Sequence, residues 1–231
     1  MSRRACEAEI AAGNVAVNGI TATLGDRIDP ATDIVTYRGK QVQAKQKKQY
    51  TYLMLKKPRG YITTMNDPQG RRCVTELLEG LSTRVYPVGR LDRVSEGLLL
   101  LTDDGELTNR LTHPKHSIPK IYRVKVEGHL TKEQIEVLSS PLVIDGYPIK
   151  PVEVTVTPEE TDTVLHLSLY EGRNRQIRKM CDAAGISIRR LSRVAIGQLR
   201  LGGLGVGKWR HLTQDEIEYL YRSTKNDHAG N

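Results

Sequence analysis

The stretch Gly89-Arg90-Leu91-Asp92-Arg93-Val94-Ser95-Glu96-Gly97-Leu98-Leu99-Leu100-Leu101-Thr102 places an acid next to a run that has no use for water. Four consecutive leucines call for a core. Asp92 stands at the lip of that core with Arg90 and Arg93 beside it, and nearby positive charge favours the ionised carboxylate. An ionised carboxylate is suited to act as a nucleophile more than as a general acid. Taken alone, Arg-Leu-Asp describes a turn cap between solvated arginines equally well.

The longer string removes that ambiguity. It fills every fixed position of G-R-L-D-x-x-[ST]-x-G-L-[LI]-[LI]-[LF]-T-[ND]-D-G, down to Thr102, Asp103, Asp104 and Gly105. In this it resembles the RsuA/RluB branch of the RNA pseudouridine synthases. The resemblance implies that Asp92 is the catalytic nucleophile.

Charge points to the same kind of partner. Among 231 residues, 35 Lys and Arg oppose 27 Asp and Glu, a formal net charge of +8. Residues 171–200 hold Arg173, Arg175, Arg178, Lys179, Arg189, Arg190, Arg193 and Arg200 against only Glu171 and Asp182, so most of the excess is expected to form one patch. The segment lacks the exposed apolar face of an interfacial helix, which favours nucleic acid over a membrane surface. Cys6, Cys73 and Cys181 are odd in number and far apart, against a disulfide framework or a thiolate metal site. The N-terminus has no apolar leader, and no run approaches the roughly 18 residues of a membrane helix. A reduced cytoplasm is the expected setting.

Residues 3–12 predict a short helix stopped at Gly13, followed by Val15-Ala16-Val17 and Ile20-Thr21-Ala22 around Asn18-Gly19, a strong hairpin signal. The string Ser-Arg-Arg-x7-Ala-Gly-x-Val-x-Val-Asn-Gly looks like the second half of the ribosomal-protein-S-four-type RNA-binding domain, which implies that Arg3 and Arg4 meet RNA. That family carries a further helix before the Ser-Arg-Arg. One helix and a hairpin within about 40 residues bury too little to stand alone, so the expectation is a truncated module. Residues 40–50 are polar, basic and aperiodic, as a linker is. The predicted domains are 1–45 for the RNA-binding piece, 46–50 for the connector, 51–222 for the catalytic domain and 223–231 for a frayed tail.

In the catalytic domain Tyr52-Leu53-Met54-Leu55 predicts a strand leading into Lys57-Pro58-Arg59-Gly60, whose proline and glycine stop it. Leu-x-Lys-Pro-x-Gly resembles a synthase motif that supports the floor of the site. Residues 104–112 predict a helix ended by Pro114. Residues 121–128 alternate, with Tyr122, Val124 and Val126 on one face, as a half-buried strand does. Thr131 with Gln134 and Thr213 with Glu216 are capping boxes that open two more helices. Residues 152–157 and 163–170 predict strands, and 175–184 a helix with Ile177, Met180, Cys181 and Ala184 inward and Gly185 as its stop. Strands and helices mixed without strict βαβ alternation give an α+β class. The resemblance adds a mixed, largely antiparallel central sheet with flanking helices, plus the small N-terminal α/β-hairpin domain.

Chemistry on a base inside RNA requires that base to leave the stack. The resemblance assigns the parts: Asp92 as nucleophile, Tyr122 in Lys-x-Tyr-x-Val for stacking on the uracil and late proton abstraction, and Arg178 in the Glu171–Met180 motif as ion-pair partner of Asp92. The resemblance also implies that Arg90 fills space around the extruded nucleotide, an ion pair with a neighbouring carboxylate being the equal alternative, and Arg173, Arg175 and Lys179 are expected to be solvated or to meet phosphate. The isomerisation needs no redox step and no external leaving group, so no cofactor or metal is expected. Gly202 to Lys208 satisfies G-x-x-x-x-G-K, but Trp209 replaces the Ser/Thr of a phosphate loop, and a glycine-rich turn is expected. His113 and His116 lack zinc spacing.

The implied activity is conversion of a specific uridine to pseudouridine in ribosomal RNA, most like the large-subunit 23S enzymes, by a monomer. Small-subunit or transfer RNA are the alternative substrates. A non-catalytic RNA-binding assembly factor is the rival class, though binding alone would not require Asp92, Tyr122 and Arg178 together.

Overall fold

Leu98 to Leu101 form the middle of a strand that is buried on both faces, and the molecule is laid out around it. The computed structural model describes residues 1, 3–42, 49–113, 118–150 and 152–224. The chain divides into two compact units, Met1–Gln49 and Tyr50–Asn231.

The first unit carries helix α1 (Arg3–Ala11) and strands β1 (Val15–Val17), β2 (Ile20–Thr21), β3 (Val35–Tyr37) and β4 (Lys40–Gln41), in an antiparallel sheet of order β2-β1-β3-β4. Asn18 and Gly19 turn the first hairpin at φ of 50° and 82°. A second hairpin, unforeseen in the sequence, turns on Arg38 and Gly39 at 48° and 73°. A non-glycine residue at positive φ carries no Asn-Gly signal to announce it. Among the described residues of this unit Ala22 is the one buried hydrophobic, and α1 buries none. Polar links add to the packing: Asn14 donates to the Glu9 carboxylate at 2.8 Å and Arg38 at 3.1 Å.

The second unit contains β5 (Tyr52–Lys57), β6 (Tyr86–Val88), β7 (Glu96–Thr102), α2 (Gly105–Thr112), β8 (Lys120–Glu127), α3 (Lys132–Ser139), β9 (Val143–Ile144), β10 (Tyr147–Pro148), β11 (Glu153–Pro158), β12 (Asp162–Leu169), α4 (Gln176–Ala183), β13 (Ile188–Ile196), β14 (Leu199–Arg200), β15 (Trp209–His211) and α5 (Gln214–Ser223). Its nine-stranded sheet runs β11-β12-β8-β13-β7-β5-β15, with β14 on β13 and β6 on β7. The β13–β7 pair is parallel and the others are antiparallel, so the α+β class and the mixed, largely antiparallel sheet are as expected.

The four leucines alternate across β7. Leu98 and Leu100 join Met54, Leu107, Ile196 and Leu220 on one face, and Leu99 and Leu101 join Leu53, Leu55, Val74 and Val85 on the other. Each such burial contributes about 1.5–3 kcal/mol. A third cluster, with Val124, Val126, Leu165, Leu167, Met180 and Leu191, fills the β8–β12–α4 side.

Local signals set the helix ends. Asp104 caps α2 by accepting from the Leu107 N–H at 3.0 Å. It also accepts from the hydroxyls of Tyr52 and Tyr221, which tie β5 and α5 to the same cap. Burial raises this carboxyl, but those hydrogen bonds outweigh it and hold the group below the usual carboxylate range. Thr131 and Thr213 form the capping boxes expected of them.

β5 ends at Lys57, where the Pro58 ring, which has no N–H, stops it as expected. Two readings need correction. The last helix includes Ser223, and Thr224 behind it is buried with its hydroxyl on the Leu220 and Tyr221 carbonyls; the rest of the expected tail, like Pro114, His116 and most of the 46–50 connector, lies outside the described residues. The other concerns β13, whose arginines predict part of a basic surface but which is a central strand. Arg189 pairs with Glu127 at 3.2 Å and Asp162 at 3.1 Å, Arg190 pairs with Glu96, and Arg193 is 4% exposed. The basic patch is therefore shorter than its sequence suggested.

Candidate active site

β7 has β5 along one edge, while its other edge is shared. β13 pairs with Glu96 and Gly97, and β6 pairs with residues 100–102. The Leu98 carbonyl lies between those two pairings, and the Arg193 Nε donates to it at 2.7 Å. Gly97 permits this junction: a Cβ there would meet the Arg193 carbonyl oxygen at 2.2 Å, and its φ is +108°. The loop 89–95 that links β6 to β7 is therefore anchored at a seam in the sheet.

That loop carries Asp92, and its backbone is tethered on several sides. The Lys57 side chain, with no exposed surface, donates from Nζ to the carbonyls of Asp92 at 3.0 Å, Ser95 at 2.8 Å and Pro58 at 3.1 Å. The Gly60 N–H donates to the Arg93 carbonyl at 2.7 Å, and the Ser95 N–H to that of Asp92 at 3.0 Å. The Thr63 hydroxyl donates to the Leu91 carbonyl at 2.7 Å and accepts from its N–H at 3.2 Å. Burial pushes the Lys57 ammonium down to about 8, against the pull of the Asp92 and Glu96 carboxylates. The sequence placed Lys57 in a supporting motif, but its three carbonyl acceptors arise from tertiary structure.

Asp92 opens into a cavity of about 400 Å³. Arg90, Tyr122, Arg173, Arg175 and Arg178 line it as well, with Ser95, Leu169 and Leu191. Tyr122 comes from β8, in register between Leu167 of β12 and Arg193 of β13. Arg178 comes from α4. The approach to α4 is shaped by Gln176, which is buried: its amide donates to Glu171 at 2.9 Å and its carbonyl accepts from the Arg173 N–H at 3.1 Å. Arg175 turns the chain into the helix with φ of 53°.

The direct Arg178–Asp92 ion pair expected from sequence is not formed. Arg178 Nη2 lies 3.4 Å from the Val94 carbonyl and 3.4 Å from the Ser95 hydroxyl, which makes it a brace on the chain just after Asp92. Burial and the neighbouring Arg175 lower the Arg178 guanidinium from its ordinary value, and the Asp92 carboxylate opposes them. Lys179, unlike Arg178, does not line the cavity. It points along the other side of α4 and pairs with Asp145 in the β9–β10 turn. Arg3 and Arg4 belong to the first unit, where both are exposed and Arg3 pairs with Glu7 at 2.8 Å. The glycine-rich turn 202–207 leads directly to β15, with the Gly207 N–H donating to the Lys56 carbonyl at 2.8 Å. Among the described residues no three His, Cys, Asp or Glu side chains gather as metal ligands, and no helix is long and apolar enough to cross a membrane.

Residues 51–183 match the RNA pseudouridylate synthase family. An uncharacterized RNA pseudouridine synthase of Aquifex aeolicus is 38% identical over 225 residues, covering 96% of this chain and 89% of that protein. The ribosomal large subunit pseudouridine synthase B of Bacillus subtilis is 37% identical over 223 residues, covering 95% and 90%. A crystal structure of a pseudouridylate synthase aligns with a TM-score of 0.68 at 28% identity, over 95% of this chain and 94% of that one. With a match across more than half its length and relatives of this identity over nearly all of it, the chain belongs to the RNA pseudouridylate synthase family.

Proposed function

We propose that this RNA pseudouridine synthase acts on a uridine of 23S ribosomal RNA, with Asp92 as the nucleophile. The observation that carries the proposal is the convergence on one cavity of a carboxylate on a tethered loop, a strand tyrosine and four arginines. The name of the Bacillus subtilis relative supports the large ribosomal subunit as the source of the substrate.

The target base leaves the RNA stack and enters the cavity, where its flat face meets the Tyr122 ring. Arg90, Arg173 and Arg175, all exposed at the cavity, face the phosphates on either side of it. The Asp92 carboxylate attacks the bound nucleotide and a covalent adduct forms. The bond between ribose and ring nitrogen breaks, the uracil turns while tethered, and its carbon five joins the ribose. The Tyr122 hydroxyl takes the carbon-five proton as it passes its own to water, the freed ring nitrogen gains one from water, and the bond to Asp92 breaks with its electron pair returning to the carboxylate, so nothing is consumed and no electrons are exchanged. Lys57 and Arg178 act as positioning residues, since each holds the loop backbone and leaves the carboxylate free. A carboxylate fixed in this way is already close to its attack geometry.

The test is site-resolved pseudouridine mapping of ribosomal RNA, by carbodiimide modification and primer extension, in cells lacking the protein and in cells restored with wild type or Asp92→Asn. The expected result is loss of one 23S site, restored by wild type alone, while purified Asp92→Asn keeps its RNA affinity and loses turnover by at least about a thousandfold. An unchanged map sinks the 23S assignment. Rescue by Asp92→Asn sinks the nucleophile.

A further inference from the structure

The β9–β10 hairpin stands beside the cavity and has a design that the reaction at Asp92 does not use. Its inward residues are core: Ile144 is 6% exposed and Ile149, just beyond β10, is 4% exposed, and both pack in the cluster that holds Met180 of α4. Its outward residues are apolar and bare, with Val143 70% and Tyr147 58% exposed. Asp145 and Gly146 make the turn at φ of 52° and 79°, and the Asp145 carboxylate pairs with Lys179 on α4. The hairpin is thus fixed at its base by apolar packing and at its tip by an ion pair.

Tyr147 is also joined to the cavity. The Arg173 guanidinium lies 4.7 Å from the centre of the Tyr147 ring, and Arg173 is itself a cavity-lining residue whose Nε is 3.7 Å from Glu171. A rigid exposed ring, capped by a cation at the mouth of a basic cleft, suits one kind of occupant. Bases offer π-faces to the ring and phosphates offer charge to the arginines, and ring and guanidinium both stack on unpaired bases. Arg175, exposed and lining the same cavity, adds positive charge beside Arg173.

We infer that Tyr147 is a stacking platform for an unpaired nucleotide flanking the target uridine, and that the Arg173–Tyr147 pair sets the path of the RNA strand out of the cavity. The inference rests on the reading of this cavity as the place where RNA reacts, and it adds a substrate-binding residue outside that cavity. Extruding one base unstacks its neighbours. A platform at the exit holds a neighbour in that state and favours RNA segments that are already single-stranded at that side of the target.

The test compares wild type with Tyr147→Leu, Tyr147→Phe and Tyr147→Trp, using tritium release from a 23S transcript labelled with [5-3H]uridine and filter binding of the same transcript. Leucine keeps apolar bulk and removes the π-face, while Phe and Trp keep the face and remove the hydroxyl. Expected are a rise in KM of about tenfold for Tyr147→Leu with kcat within about twofold, wild-type values for Phe and Trp, and one melting temperature for all four. A wild-type KM in Tyr147→Leu overturns the inference. So does equal loss in Leu and Phe, which would assign the effect to the hydroxyl. Should wild type itself release no tritium, the 23S assignment fails separately, and filter binding decides here: affinity about tenfold weaker in Tyr147→Leu alone supports the platform, and equal affinity overturns it.

Discussion

Residues 172–179 and Ile188–Ile196 carry similar positive charge and meet different fates. In the first stretch Arg173 and Arg175 stay exposed at the cavity and Arg178 braces the Asp92 loop. In the second, Arg189 and Arg190 are held by Glu127, Asp162 and Glu96, and Arg193 is drawn into the sheet. The difference comes from what lies on either side. A loop leading into a helix projects its cations outward, whereas a strand flanked by β8 and β7 must bury every second side chain or find it a partner. Positive charge counted along a sequence is therefore a poor measure of an RNA-binding surface until ion pairs and burial are subtracted.

The sharpest break of this comparison is Arg193→Met. Its loss leaves the buried Leu98 carbonyl without its donor at the seam of β7, which costs about 1–3 kcal/mol. Arg190→Met breaks an exposed pair and should cost no more than about 1 kcal/mol. Urea unfolding of the two variants beside wild type measures the contrast. Equal midpoints would mean that the seam does not depend on the Arg193 side chain.

Lys57 extends the buried side of the comparison and makes it depend on pH. Burial holds its folded value at about 8, below the ordinary 10.5. Between those values the unfolded chain binds more protons than the folded one, so this group's contribution to stability rises as pH increases through the window from about 8 to about 10.5. Below pH 8 both states are protonated and the contribution is constant. The expected outcome is a wild-type unfolding free energy that climbs relative to Lys57→Met between pH 8 and 10, read from urea midpoints. A constant difference across that range would show that the three carbonyl acceptors keep the ammonium charged.

What the sequence disclosed follows the range of each signal. Leu98 to Leu101, the Thr131 and Thr213 caps and the Asn18-Gly19 turn are specified by immediate neighbours, and all three are formed as read. The convergence of Asp92, Tyr122 and Arg178 on one cavity was legible through their motifs. β13 was not, because Arg189, Arg190 and Arg193 mask the alternation of a buried strand, and its irregular register with β8 between Arg193 and Ala195 disturbs the pattern further. The motif brings Arg178 to Asp92, but whether it contacts the carboxylate or the following backbone depends on a loop fixed by Lys57, Gly60 and Thr63 from far away in sequence. The β9–β10 hairpin did carry a local sign, Asp145-Gly146 between Ile144 and Tyr147, and a two-residue turn of that kind is a hairpin signal in its own right.

The smallest effect isolates the exposed side of the comparison. Arg175 is exposed at the cavity and is expected to neutralise phosphate, so Arg175→Met should weaken RNA binding while leaving the unfolding midpoint unchanged. Removing one phosphate contact lowers the slope of log affinity against log salt by somewhat under one, about 0.7 for a single strand. Arg189→Met, whose side chain is engaged by Glu127 and Asp162, should leave that slope as it is in wild type. Filter binding from about 50 to 200 mM salt reads both. A slope that falls equally in the two variants would return Ile188–Ile196 to the RNA-binding surface, and with it the longer basic patch that the ion pairs argue against.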